Sequence, residues 1–305
     1  MALRIVEFFG YAPLDSAGFQ FATDKKCPFT KFDCTKPNHG SCTLEQLDGR
    51  AVICCPNRLY AERYQILTDV AQIAFGGTPI LQRASDLRRK LQDGTLTGEE
   101  VAVFGRNWNQ ELAIPRPKSS GKGTSSFYVD WVLASIDKNG KLKAFTAVEV
   151  QTIDTTGNYS EQATAYFARQ PFKDQKGRQP GFSNSGFNWE NVSKRILPQL
   201  IYKGHVLRGE EKCSKGLFFI CPTAVLERIK ERLGNKLKSY PVGNGTITFR
   251  SYDVGPDTGS GRKRKLAFVE SFTTTVDQVA VAFTSPTNLP ENGVYESAIE
   301  AALSH

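Results

Sequence analysis

The chain has 305 residues, 40% of them hydrophobic, which suffices for one large core with a small appendage. Its 39 Lys and Arg against 31 Asp and Glu leave a formal charge of +8, which favours a polyanionic partner without identifying one. No run approaches the roughly 20 apolar residues of a membrane span, and the N-terminal stretch lacks the pattern of a signal peptide, so a cytoplasmic protein without a membrane partner is expected.

Residues 1–58 carry little helical periodicity and many turn formers, among them Cys27-Pro28, Lys36-Pro37-Asn38 and Cys55-Pro56-Asn57, and they predict a small loop-rich lobe. Five of the seven cysteines, Cys27, Cys34, Cys42, Cys54 and Cys55, crowd into that lobe. In a reducing compartment such a cluster favours a metal over disulfides. Cys27, Cys34 and Cys42 with either Cys54 or Cys55 supply four thiolates, enough for a closed structural site, with His39 as a substitute ligand. The competing reading is a set of small buried hydrophobes.

From Leu59 the apolar residues recur at helical spacing until Gly76-Gly77, and a shorter helix is predicted over 84–91. After a Pro/Gly/Ser-rich loop at 115–126, two runs of branched and aromatic residues, 127–136 and 141–152, flank Asn139-Gly140, a strong hairpin signal. Asn158 to Glu161 resembles a capping box opening a helix to about residue 168. An exposed loop follows, then a helix over 189–202 capped by Asn188 and bent by Pro198. A strand at 216–221, a helix at 223–233 closed by Gly234, and strands at 246–252, 266–272 and 279–283 complete the chain. Residues 59–305 thus read as one α/β domain, distinct from the lobe at 1–58.

The hairpin carries two acids. A two-residue Asn139-Gly140 loop sets Asp130 opposite Glu149, with β-carbons about 5 Å apart and Gln151 on the same face. A loop of odd length or a bulge would separate them. Both strands are apolar on both faces, so the acids lie on central, buried strands. Two carboxylates facing each other there repel and are poorly solvated, and a divalent cation relieves both problems. Oxygen ligands of this kind suit magnesium, which also takes water and phosphate oxygens, so phosphodiester hydrolysis is the implied reaction. The alternative is an edge strand or a neutralising Lys or Arg.

Asp130 followed by Glu149-Val150-Gln151 resembles the PD-(D/E)XK nuclease signature, in which the acids hold magnesium and a third residue, usually Lys, helps position the water. Gln151 stands in the Lys place, and a neutral amide orients a water without supplying charge. An upstream acid often joins such sites, and Glu111, Glu99 and Glu100 are the candidates. The cysteine segments Cys27-Pro28-Phe29, Cys34, Gly40-Ser41-Cys42 and Ile53 to Arg58, the acidic hairpin, and Asn188 to Leu197, in this order, resemble the NotI-like restriction endonucleases. These segments lie between about residue 27 and residue 203.

The resemblance implies a PD-(D/E)XK core with a mixed central sheet flanked by helices, acting as a homodimeric type II enzyme that cuts double-stranded DNA at a GC-rich palindrome. It also implies catalytic Mg2+ and iron in the cysteine site. The last ligand in the family pattern precedes a proline, which favours Cys55 over Cys54. Nothing else in the sequence distinguishes iron from zinc. Base contacts are sought among Arg169, Gln170, Lys173, Lys176, Arg178 and Gln179, and further DNA contacts at Lys194 and Arg195. Phosphate contacts are sought in the basic run Arg262, Lys263, Arg264, Lys265. A DNA-binding regulator with a structural metal and no cleavage activity is the rival reading. With no GxxxxGK[ST] motif, no nucleotide cofactor is expected.

Overall fold

The alternation of buried and half-buried residues along Leu3–Phe8 makes it a strand with one face inward, although turn formers surround it. It is the first element of a computed structural model that describes residues 2–36, 40–108, 111–114, 127–234, 236–285, 289 and 291–304. The strands are β1 (Leu3–Phe8), β2 (Ser41–Gln46), β3 (Ala51–Ile53), β4 (Ile80–Arg83), β5 (Glu100–Gly105), β6 (Ala113–Ile114), β7 (Phe127–Tyr128), β8 (Trp131–Ile136), β9 (Leu142–Val150), β10 (Thr155–Thr156), β11 (Gly186–Phe187), β12 (Leu217–Pro222), β13 (Thr246–Val254) and β14 (Leu266–Thr275). The helices are α1 (Ser16–Asp24), α2 (Ala61–Phe75), α3 (Ala84–Gln92), α4 (Ser160–Phe167), α5 (Leu197–Arg208), α6 (Thr223–Leu233), α7 (Val276–Thr284) and α8 (Val294–Leu303).

Seven strands form the central sheet in the order β14-β13-β12-β9-β8-β5-β4. It is mixed: β4/β5, β9/β12 and β12/β13 are parallel, and the other pairs are antiparallel. Alternate residues of the central strands feed two cores. Ala147 and Phe219 face a cluster that takes in residues of α4, α5, α6 and α7, whereas Val148 and Phe218 face a cluster built with α2. The result is the α/β architecture with helices on both faces that the sequence implies.

Residues 1–58 hold more regular structure than their turn formers suggest. They form the antiparallel sheet β1-β2-β3 and α1, and Leu3, Ile5, Phe8 and Leu44 join the same core as Ala147 and Phe219. The strand expected at 279–283 is instead part of α7, because Thr275 caps it by accepting from the Gln278 N–H at 3.2 Å, and Val276 and Val279 are buried three residues apart. Helix α8 has no counterpart in the sequence prediction. The loop at 115–126 and His39 lie outside the described residues.

The hairpin between β8 and β9 departs from its prediction twice, and the departures cancel. Asp137 and Lys141 close a three-residue loop, in which Gly140 has φ +75°, a conformation that favours glycine. That odd loop shifts the register by one residue. The pairing then passes from Ile136↔Leu142 to Ser135↔Ala144, so Lys143 is an extra residue that shifts it back. Trp131 therefore pairs with Val148, and Asp130 comes opposite Glu149 as the two-residue loop would have had it.

Candidate active site

Glu149 lies near the C-terminal end of β9, between Asp130 at the entry to β8 and Phe219 of β12. Asp130 Oδ2 accepts from the Val150 N–H at 2.8 Å, which ties it to the strand carrying Glu149. Asp130, expected to be buried like Glu149, is exposed because it lies just before β8 begins, although its carboxyl is closely surrounded by protein atoms. Its pKa is raised by burial, against the Val150 hydrogen bond and the Lys203 charge, with the Glu111 charge adding to the rise. Burial, then the Asp130 charge, push the Glu149 carboxyl up to about 7 despite Lys203. Glu149 Oε2 is buried and has no hydrogen-bond partner among the described residues.

The other oxygen, Oε1, accepts from Lys203 Nζ at 2.6 Å. Lys203 is buried and comes from α5, 54 residues beyond its partner. Its helix is entered through a π-helical segment, Val192–Ile196, which the Leu197 N–H closes onto the Val192 carbonyl just before Pro198, a residue with no N–H of its own. The single helix expected over 189–202 is instead this π-helical segment followed by α5, which runs on to Arg208. Lys203 itself went unrecognised. The signal was its place on the apolar stripe of Leu197, Leu200 and Leu207, where a lysine at helical spacing requires a partner.

Gln151 follows Glu149 at the strand end, where its backbone N–H donates to the Ile220 carbonyl at 2.9 Å and its side-chain NH2 to the Thr152 carbonyl at 3.2 Å. Of the three upstream acids, Glu111 is near enough for its charge to act on Asp130. Glu100 stands at the far end of β5, whose near end, Gly105, pairs with Trp131. Although buried, it is held down to about 2 by hydrogen bonds from the Thr97 backbone and hydroxyl and from Lys90, and it also accepts from the Gly98 N–H. Glu99 precedes it and lies at that same end.

Around Asp130 is an aromatic cluster. The Trp131 indole donates to Tyr60 Oη at 3.1 Å, and burial followed by the Asp130 charge raises the Tyr60 pKa well above its usual value. Tyr64 packs on both Trp131 and Trp108. Three successive residues at the start of α2, Glu62, Arg63 and Tyr64, have φ of 55°, 59° and 64°. Left-handed backbone costs a non-glycine residue about 1–2 kcal/mol, and strain of this kind gathers at functional sites. This turn delivers Arg63 to a cleft shared with Lys31, Arg83 and Trp108. Lys31, Arg63 and Arg83 are exposed.

The cysteines gather but do not form a ready cage. None of the seven cysteines is in a disulfide among the described residues. Burial, then the charges of Cys55, Glu7, Cys27 and Cys34, raise the Cys42 thiol well above its usual range, so these four share one neighbourhood. Cys34 Sγ accepts from the Gly40 N–H at 3.3 Å. Cys54 Sγ turns to the Ser41 and Cys42 carbonyls and its residue joins the main core. Among the described residues no three or more His, Cys, Asp or Glu converge closely enough to hold a metal unaided. Beside the cysteines, Arg58 Nε and Nη2 donate to Glu7 at 2.8 and 3.0 Å, and both side chains are fully buried.

The profile of the family described as Restriction endonuclease NotI matches residues 17–216, about two-thirds of the chain. The chain belongs to the NotI restriction endonuclease family. Membership makes it a site-specific deoxyribonuclease and sets aside the regulator reading. Among curated proteins nothing matches the chain. The part of this NotI-family chain that the profile covers includes the five clustered cysteines, Asp130, Glu149 and Lys203, whereas β12, β13 and β14 complete the sheet outside it. No helix among the described residues is long and apolar enough to cross a membrane.

Of the residues sought as DNA contacts in this NotI-family protein, several have partners within the chain. Arg178 pairs with Asp174 at 2.6 Å, Lys194 with Glu190, and Arg195 with Asp154 at 3.4 Å. Arg264 Nε donates to the Gly255 carbonyl, and Lys263 lies over the rings of Tyr11 and Phe29. Arg262 is exposed.

Proposed function

We propose that this restriction endonuclease is a Mg2+-dependent enzyme of the PD-(D/E)XK type, with Asp130 and Glu149 as its metal ligands and Gln151 as its third motif residue. The reading is carried by Glu149 Oε2, a buried carboxylate oxygen without a partner, opposite a second carboxylate. An unpaired buried oxygen costs stability unless something fills the site. Asp130 and Glu149 would hold a divalent cation, which when bound would supply that partner, lower the pKa of an attacking water and offset charge developing on the phosphoryl group.

The chain's own residues do the rest. The Val150 N–H fixes Asp130 Oδ2, so the carboxylate is held in orientation before substrate arrives. The Gln151 NH2 is engaged by Thr152, which leaves the amide oxygen to accept a hydrogen bond from the attacking water and orient it. Glu111 adds negative charge on the Asp130 side. Cutting both strands of a GC-rich palindrome calls for two such sites, hence a homodimer.

Residues 1–58 act in this reading as a metal-stapled lobe on the catalytic domain 59–305. Cys27, Cys34, Cys42 and Cys55 bind iron, with zinc as the alternative, and the support is their donor type and shared neighbourhood. The cleft of Lys31, Arg63 and Arg83 contacts DNA phosphates or guanine edges, because its cations are exposed beside the aromatic cluster that reaches Asp130. Arg178, Lys194, Arg195 and Arg262 to Arg264 remain contacts that would exchange an internal partner for DNA, apart from exposed Arg262.

Digestion of a long unmethylated DNA of known sequence, with and without Mg2+, tests the reading. Discrete fragments whose ends share a GC-rich palindrome, formed only with the metal, are expected. Cleavage of equal extent in a chelator would contradict the metal reading, and fragment ends without a common sequence would contradict the palindrome.

A further inference from the structure

The sequence leaves the site with a neutral residue, Gln151, where a cation is usual, and the fold brings a cation there from another element. We propose that Lys203 is the positioning cation of the cleavage site: through Glu149 Oε1 it fixes that carboxylate so that Oε2 faces the metal, and it supplies the charge that Gln151 lacks. The proposal rests on the reading of Asp130 and Glu149 as the metal pair.

Geometry separates this role from plain neutralisation. Arg58 meets both oxygens of Glu7, so that buried carboxylate has no oxygen left for a ligand. Lys203 engages one oxygen and leaves the other buried and unpartnered. An ammonium is a point charge, and an Arg fork in the same place would occupy both oxygens. The placement of Lys203 is also built in. A Cβ at Gly204 would meet a Val276 methyl at 2.6 Å, so glycine allows α5 to sit close against the start of α7. Leu200 and Leu207 bury the same side of the helix, which fixes the rotation that turns Lys203 toward β9. Its charge reaches both acids, since it acts on Asp130 as well as on Glu149.

The test uses full-length Lys203→Met and Lys203→Arg, with Asp130→Asn as reference, and a duplex that the wild-type protein cuts. Calorimetric titration of the protein–DNA complex with Ca2+ reads metal binding, and single-turnover cleavage at saturating Mg2+ is followed across pH 6 to 9. Lys203→Met is expected to bind Ca2+ at least as tightly as wild type, because a repelling charge is gone, yet to cleave about 100-fold more slowly at every pH. Lys203→Arg is expected to bind Ca2+ more weakly, because the fork occupies Oε2.

Cleavage by Lys203→Met within threefold of wild type at saturating Mg2+ would overturn the proposal and leave Lys203 as a neutralising group. So would a defect that more Mg2+ repairs. If Lys203→Met does not fold, Lys203→Gln, which keeps length and a hydrogen bond without the charge, carries the same expectations. Asp130→Asn distinguishes the two levels. Normal cleavage by that variant sinks the underlying metal pair, whereas its inactivity beside an active Lys203→Met sinks only the role of Lys203.

Discussion

Glu7 and Glu149 are each buried against a cation that is itself buried, and their carboxylates are satisfied to different degrees. Glu7 in β1 takes two hydrogen bonds from Arg58 and one from Thr43, and the Phe29 ring covers the guanidinium. Both of its oxygens are used, and neither side chain of the pair is exposed at all. Glu149 in β9 faces a second carboxylate, has one oxygen idle, and pairs with a lysine that retains 6% of its exposure. Both Glu7 oxygens are met, although Arg58 Nη1 is itself buried without a hydrogen-bond partner among the described residues, and removing one side of such a pair is costly. A pair left with an unmet oxygen and a raised pKa stores an imbalance that a ligand can relieve, which is what a metal-dependent site requires.

Glu149→Gln puts this contrast under the largest strain. Cleavage should fall by about a thousandfold, the loss expected of a charge-stabilising group in a catalytic site, while metal-free stability should hold or rise. The sign follows from titration. The carboxyl titrates near 4.5 when unfolded and near 7 when folded, so between those values the folded protein retains a proton that the unfolded chain has lost. Glu149 therefore lowers stability as pH rises from 4.5 to 7, and the Tm advantage of Glu149→Gln should grow across that window and level off above it. A Tm difference that is flat with pH would mean that Glu149 is as well satisfied as Glu7.

The converse variant, Glu7→Gln, strands Arg58 and should cost roughly 3–5 kcal/mol of stability, measured by denaturant unfolding. Cleavage by the fraction that remains folded should stay within a few-fold of wild type. A selective loss of cleavage with stability intact would break the contrast by placing Glu7 in the catalytic machinery. The smallest effect belongs to Lys194→Ala, which removes an exposed pair with Glu190. Stability should change by less than about 1 kcal/mol, and any loss of DNA affinity should shrink at high salt if Lys194 meets a phosphate.

Much of the fold and the facing acids of the candidate site are legible in the sequence. Asn139-Gly140 and the flanking apolar runs located the hairpin and set Asp130 opposite Glu149, although the loop has three residues and a bulge at Lys143 restores the register. Periodicity alone cannot see a compensated shift of that kind. The β-branched run after Thr275 looked like a strand because Val276, Val279 and Val281 suit either structure, and the Thr275 cap decided for α7. Lys203 was missed because its partner lies 54 residues away. Only the packing of α5 on the sheet brings them together, and composition has no access to that. Charge runs point to candidate DNA contacts, but Arg178, Lys194, Arg195 and Arg264 have partners within the chain, which a charge run cannot reveal.

The measurement that bears most directly on the site is paired cleavage and DNA binding by Asp130→Asn on a duplex that the wild-type protein cuts. Cleavage in Mg2+ should be lost while specific binding in Ca2+-free buffer stays within a few-fold of wild type, because the variant removes a proposed metal ligand and leaves the proposed DNA cleft intact. Cleavage at the wild-type rate by Asp130→Asn would contradict the account and return the Asp130–Glu149 pair to a structural role.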